Sequence, residues 1–323
     1  MKRFKCLLAA LAVATALPVW ASSSNPYPER PIRLVVPTGS GGTSDVLGRI
    51  VAEEMRRKIG QSIVVENKGG ANGNIGAAAV AKTAADGYTL LLSSSLLSSS
   101  ASLYKTLPFD AMNDFKPVGL IATTPYFLIV SGKAAPKSVP ELIALARSQP
   151  GKIAYASVGV GSGPHLAGEQ FSRQVGVEML HVPFAGAGQA VTELLTGRVQ
   201  LMFVGLPPVQ GHVKSGALRI LGVAEPKRSG FLPEVPTIAE SGVPGFEVTT
   251  WFGLFAPAGT PDAVVQKLSG VLDEVLKEPE VRERFKSLGA VPNFRNPADF
   301  AAFYKGDVES LAKVIKAANI SIE

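Results

Sequence analysis

From Ile32 to Val36 the chain is an apolar, β-rich run. It breaks into the glycine-rich turn Pro37 to Gly42 and then takes up a 3.6-residue period. Val46, Leu47, Ile50, Val51, Met55 and Ile59 fall on one face of that period, while Arg49, Glu53, Arg56 and Arg57 fall on the other, which predicts an amphipathic helix. Strand and helix patterns then alternate. Gln61–Lys68, Tyr88–Leu92, Tyr126–Val130, Lys152–Ala156, Glu178–Val182, Leu201–Gly205 and Ile220–Ala224 read as strands. Helical stretches fall at Ile75–Ala85, Pro140–Arg147, His165–Val175, Gln189–Thr196 and Val209–Ser215. Such alternation predicts the α/β class, with mostly parallel sheets covered by helices. At 323 residues the chain exceeds the usual size of one domain, so two lobes are expected. The last third departs from the rhythm. Thr260-Pro261 and Asn296-Pro297 each place a capping residue before a proline, predicting helices Pro261–Lys277 and Pro297–Ala318 with no strand between them.

The turns are where chemistry can sit. Thr38, Gly39, Ser40, Gly41 and Gly42 lead into a helix with Thr43, Ser44 and Asp45 as candidate caps. Free backbone N–H groups and a positive helix end at one place suit a carboxylate or phosphate. The same glycines would also serve an ordinary βα turn that only needs φ > 0. The strand–glycine–helix pattern recurs from Ser157 to Leu166, including Gly161, Ser162 and His165, and again from Val182 to Gly188, including Phe184, Ala185 and Gly186. Ser94 and Ser95 lie in a serine-rich stretch after a strand, which fits either hydroxyls offered to a ligand or a solvent loop. Trp251 and Phe252 are core aromatics or a cleft wall.

Other readings are poorer. Gly70, Gly73 and Gly76 are spaced G-x-x-G-x-x-G, not as a dinucleotide fingerprint, so a tight turn at the rim of a cleft fits better. Ser162 and His165 would suit a hydrolase, yet no acid is placed to orient the histidine and there is no nucleophile elbow. His181 and His212 lie far from His165 with no metal-ligand spacing. No metal or other cofactor is expected.

Composition adds location. Lys2, Arg3 and Lys5 precede the apolar run Cys6 to Leu17, and Val19-Trp20-Ala21 offers a cleavage site before Ser22. Residues 1–21 therefore read as a secretory signal peptide, since the run is shorter than the roughly 20 residues of a membrane span. Cys6 is the sole cysteine, so the exported chain would carry no disulfide, as suits a bacterial periplasm. The formal charge of +6 falls by three when the leader is removed. No basic block interleaved with aromatics remains, which argues against nucleic acid as a partner.

Read in order, these segments resemble the receptors of tripartite tricarboxylate transporters, the Bug family. The resemblance runs from Tyr27-Pro28 to the C-terminus. It is carried by Pro31 to Pro37 with Gly41 to Asp45, Val65 to Ala71, Leu107 to Asp110 with Asp114 to Val118, Ser157 to Leu166, and Trp251 to Pro261. It implies a two-lobed periplasmic fold of the type II Venus-flytrap kind, with residues 22–122 and 249–323 in one lobe and 123–248 in the other. It implies a monomeric receptor that holds a small carboxylate and passes it to membrane subunits. Backbone amides at Thr38 to Thr43, Gly161-Ser162 and Ala185-Gly186 would grip the ligand, with Asp45, Ser94, Ser95, Ser157, His165, Phe184 and Phe203 around them. Gln200 departs from the aspartate of many relatives, which leaves the identity of the carboxylate open.

Overall fold

The computed structural model describes residues 27–133, 136–230, 232–318 and 320–322. The expected signal peptide, 1–21, lies outside the described residues. The first lobe opens with β1 (Ile32–Val36), α1 (Thr43–Ile59), β2 (Ile63–Asn67), α2 (Asn74–Ala81), β3 (Thr89–Ser94), α3 (Ser95–Leu103) and β4 (Phe115–Pro125). The second contains β5 (Phe127–Ser131), α4 (Val139–Ser148), β6 (Ala154–Ser157), α5 (Gly163–Val175), β7 (Leu180–Pro183), α6 (Ala187–Thr196), β8 (Leu201–Val204), α7 (Gln210–Lys214) and β9 (Leu218–Val223). The chain then returns through β10 (Thr249–Pro257), α8 (Asp262–Lys277), α9 (Pro279–Ser287), β11 (Val291–Arg295) and α10 (Pro297–Ala318).

Two sheets result, ordered β11-β4-β10-β3-β1-β2 and β7-β6-β8-β5-β9. Each is mixed. β1 pairs in parallel with β2 and β3, as βαβ crossovers require, but β10 inserts antiparallel between β3 and β4. In the second sheet β6 pairs in parallel with β7 and β8, while β5 runs antiparallel to β8 and β9. The expectation of mostly parallel sheets therefore gives way where the chain changes lobe, because those strands arrive from the opposite direction.

Strand alternation builds a core on both faces of each sheet. Ile32, Leu34 and Val36 pack on one face with α1 and α8, while Val35 joins Phe255, Phe300 and Tyr304 on the other. Leu128 and Val130 likewise oppose Phe127 and Ile129. Strands buried on both faces read as continuous apolar runs, which is why their positions were legible.

Four details differ from expectation. β11 lies between the C-terminal helices and pairs antiparallel with β4. Its residues are mostly half-exposed and include Pro292, so no alternation announces it. Pro261 is extended (φ −55°, ψ 141°) and α8 begins one residue later, whereas Asn296 Oδ1 accepts from the Ala298 and Asp299 amides at 3.0 Å and caps α10 as expected. β4 stays in the first sheet through Pro125 and β5 opens the second at Phe127, so the chain changes sheets at Tyr126, a few residues past the expected end of the first lobe at residue 122. The serine-rich stretch is not a solvent loop. Ser98, Ser99 and Ser100 are buried in α3, where Ser100 Oγ donates to Asn74 Oδ1 at 2.7 Å.

Candidate ligand-binding cleft

A cavity of about 420 Å³ opens between the two sheets, with its lining drawn from both lobes. Of the residues singled out in the sequence, Thr38, Gly39, Ser40, Gly42, Thr43, Ser94, Phe184, Ala185 and Gly186 line it. The turn Gly70 to Gly73 also lines it, as do Thr124, Tyr126, Thr250 and Phe252 near the crossings. Sequence reasoning missed Thr124 and Tyr126, which carry no motif; they reach the cleft because the chain changes sheets there.

The other candidates are turned away, each for a visible reason. Gly41 (φ +79°) gives its N–H to Asp45 Oδ2 at 2.9 Å. Asp45 is 4 % exposed and pairs with Arg49 at 2.9 Å. Burial pushes its pKa up, but the bonds from Arg49, the Gly41 amide and Asn67 outweigh it and leave the carboxyl below its usual range. Asp45 thus anchors the turn from behind. Ser95 Oγ bonds Thr250 Oγ1 at 2.9 Å. Ser157 is fully buried and bonds His181 Nε2 at 2.6 Å. Ser162 is fully buried and donates to the Gly159 carbonyl at 2.6 Å. His165 Nδ1 accepts the Gly161 N–H at 2.8 Å. Phe203 is fully buried against Phe171 and Phe246, so it belongs to the second-lobe core.

Electrostatically the cleft is unusual. Among the described residues that line it, none is Asp, Glu, Lys, Arg or His. Three helices nevertheless start at its wall: α1 after Gly42, α5 after Ser162 and α6 after Gly186, none with a side-chain cap. Each start leaves backbone N–H groups without helical acceptors and carries roughly half a positive charge. Pro164 removes one donor from α5, so α1 and α6 offer the fuller sets. Fixed amide dipoles in a neutral, partly enclosed space can hold an anion without a counter-charge.

The Ser162–His165 pairing that a hydrolase would need does not form. The Ser162 hydroxyl and His165 Nδ1 are each committed to backbone, and the ring stacks on His181 with centroids 3.8 Å apart. Burial lowers the pKa of both histidines to about 4; for His181 the neighbouring ring adds to this and Glu169 opposes it. Between about pH 6.5 and 4 the unfolded chain therefore binds protons that the folded chain does not. The stability contributed by these rings is present above the unfolded pKa and is lost as pH falls through that window. Denaturation series should show stability falling across it in wild type and a shallower slope in His181→Gln. Equal slopes would show that the stacked pair does not set this dependence.

A two-lobed α/β fold with its cleft between the sheets defines the class of periplasmic binding proteins, and the known proteins agree. The profile of the "Tripartite tricarboxylate transporter family receptor" matches residues 47–320. The periplasmic binding protein BugD is 38 % identical and superposes with a TM-score of 0.87, covering 92 % of this chain and 100 % of its own. A Rhodopseudomonas palustris protein with adipate, Rpa4515, is 36 % identical (TM-score 0.89; 91 % and 99 % covered). MatC from Rhodopseudomonas palustris, with bound malate, is 31 % identical (TM-score 0.84; 90 % and 100 % covered). The chain belongs to the tripartite tricarboxylate transporter receptor family, a family of solute receptors and not of enzymes.

Proposed function

We propose that this protein is a periplasmic receptor that captures a small carboxylate between its lobes and delivers it to the membrane subunits of a tripartite tricarboxylate-type transporter. The observation that carries the reading is the convergence of three uncapped helix starts on a cleft with no charged side chain among its described residues. The adipate and malate held by two relatives support the ligand class. The contacts proposed for the carboxylate are the backbone amides of Gly42 and Thr43 in the first lobe and of Gly186 and Ala187 in the second. An anion bridging amides of both lobes stabilises their apposition over separation. The moving units proposed are the segments on either side of the crossings, with the first crossing placed at Tyr126. Export through cleavage before Ser22 and a monomeric state belong to the same proposal.

A thermal-shift screen of mono-, di- and tricarboxylates tests it. A ligand at a hundredfold excess over its Kd adds about 2.7 kcal/mol, a rise of roughly 4 °C for a chain of this length. The acid should be recovered unchanged after long incubation. No shift from any small carboxylate, or conversion of the acid, would overturn the receptor reading. A signalling role in place of transport would show as neighbouring genes that lack the two membrane subunits.

A further inference from the structure

Tyr126 is the residue at which the chain changes sheets, and backbone bonds tie it to the returning crossing. Its carbonyl accepts from the Ala224 N–H at 2.8 Å, and its N–H donates to the Val248 carbonyl at 3.4 Å. The side chain lines the cleft although the residue is only 7 % exposed. Its hydroxyl stands at the start of α5, since a Cβ on Gly163 would run into the phenol oxygen. That oxygen is not among the buried atoms closed off from the cavity. The Ser95 and Thr250 hydroxyls beside it bond each other at 2.9 Å, which leaves the phenol proton free to meet a further acceptor. Burial pushes the phenol up to about 12, against those two hydroxyls, which lower it. The group therefore stays a neutral donor wherever a carboxylate is ionised. Gly163 lines the same cavity, and its N–H has no backbone acceptor among the described residues.

We infer that the Tyr126 hydroxyl and the Gly163 amide together receive the far end of the ligand, and that this end is a second carboxylate. The inference rests on the carboxylate reading of the cleft. Both groups are donors, and α5 adds the positive end of a helix, so the chemistry that completes them is an acceptor with no proton of its own. A methyl end would leave both unpaired, and an ammonium end would meet only donors. The fold also spaces the two stations. In the first sheet α1 follows β1 and α3 follows β3, which are paired neighbours. In the second, α6 follows β7 and α5 follows β6, again paired neighbours. The proposed carboxylate grip lies between α1 and α6. Tyr126, beside Ser95 of α3, and Gly163 of α5 lie one strand over in both sheets, a step of about 5 Å. Diacids of about four to six carbons span such a step.

Titration calorimetry at about pH 7, where carboxylates are ionised, tests the assignment in the full-length exported protein. The probes are straight-chain diacids of about four to six carbons, each matched by its monomethyl ester and by the methyl-ended acid of the same length. Wild type should bind the best diacid about tenfold or more tighter than its methyl-ended counterpart, with the ester between them. Tyr126→Phe keeps the ring and removes the hydroxyl. Its affinity for the diacid should fall about tenfold, while the methyl-ended acid stays within about twofold of wild type and so reports that the cleft still forms. The wild-type ranking is a check that needs no variant: a methyl-ended acid bound as tightly as its diacid would overturn the inference. So would a diacid preference unchanged in Tyr126→Phe, or an equal loss for all three ends, and each of these leaves the carboxylate grip standing. Failure of every acid to bind wild type would instead bring down the receptor reading itself.

Discussion

Replacing Gly42 by proline should lower carboxylate affinity by about 10- to 100-fold, the worth of one hydrogen bond to a charged acceptor. Gly42 is the residue at which α1 starts, and its φ of −78° already lies where proline is fixed. A Cβ there would meet the Gly39 carbonyl oxygen at 3.7 Å, an ordinary contact. Gly41 before it is glycine at φ +79° and is held by Asp45 rather than by Gly42. The substitution thus removes one N–H from the cleft wall with little demand on the surrounding backbone. Ser40→Ala is the matched comparison, because Ser40 lines the same cleft, is exposed, and loses only a hydroxyl. Its affinity should stay within a few-fold of wild type. Calorimetry with circular dichroism on both variants checks the contrast. Equal affinities would rule out backbone recognition at this turn.

The glycine turns were legible because the signals that start a helix are local: a strand ends, glycines allow the chain to bend, and an apolar period begins. α1 and the turn before it follow from that pattern directly. Which atoms of a turn face the cleft is a tertiary matter. Ser162 and His165 look like a reactive pair in sequence, yet β6 and β7 pair so that Tyr155 lies opposite His181. That register creates the aromatic stack that draws His165 inward, and its origin lies 16 residues further along the chain. β4 was missed because Pro117, Gly119 and the pair Thr123-Thr124 interrupt its apolar run, although most of the strand is buried. The buried serines of α3 were missed for a related reason. Hydropathy marks them as surface, and burial is tolerable where the fold supplies acceptors, Asn74 Oδ1 for Ser100 and the Leu96 carbonyl for Ser99 and Ser100.

Gly161→Ala should destabilise the protein by about 2–4 kcal/mol, and most of that cost should vanish when Leu103 is also shortened. Gly161 sits at φ +75°, where a Cβ costs about 1 kcal/mol. It is also one of the points at which the lobes touch. A Cβ built there would fall 2.0 Å from Leu103 Cδ1 and 2.6 Å from Cδ2. Leu103 ends α3 of the first lobe and packs with Leu166 of α5 and Ile315 of α10 in a small cluster that spans both lobes. Overpacking of this kind costs about 1–3 kcal/mol, since Leu103 is 1 % exposed and has little room to retreat. Leu103→Ala alone should cost about 2–5 kcal/mol through the cavity it leaves. In that background the added alanine at position 161 meets no leucine tip, so only the backbone component of about 1 kcal/mol should remain. Chemical denaturation of the four proteins in a double-mutant cycle measures the difference. The same cost for Gly161→Ala in both backgrounds would show that Leu103 is not what the glycine accommodates, and that its conformation alone requires it.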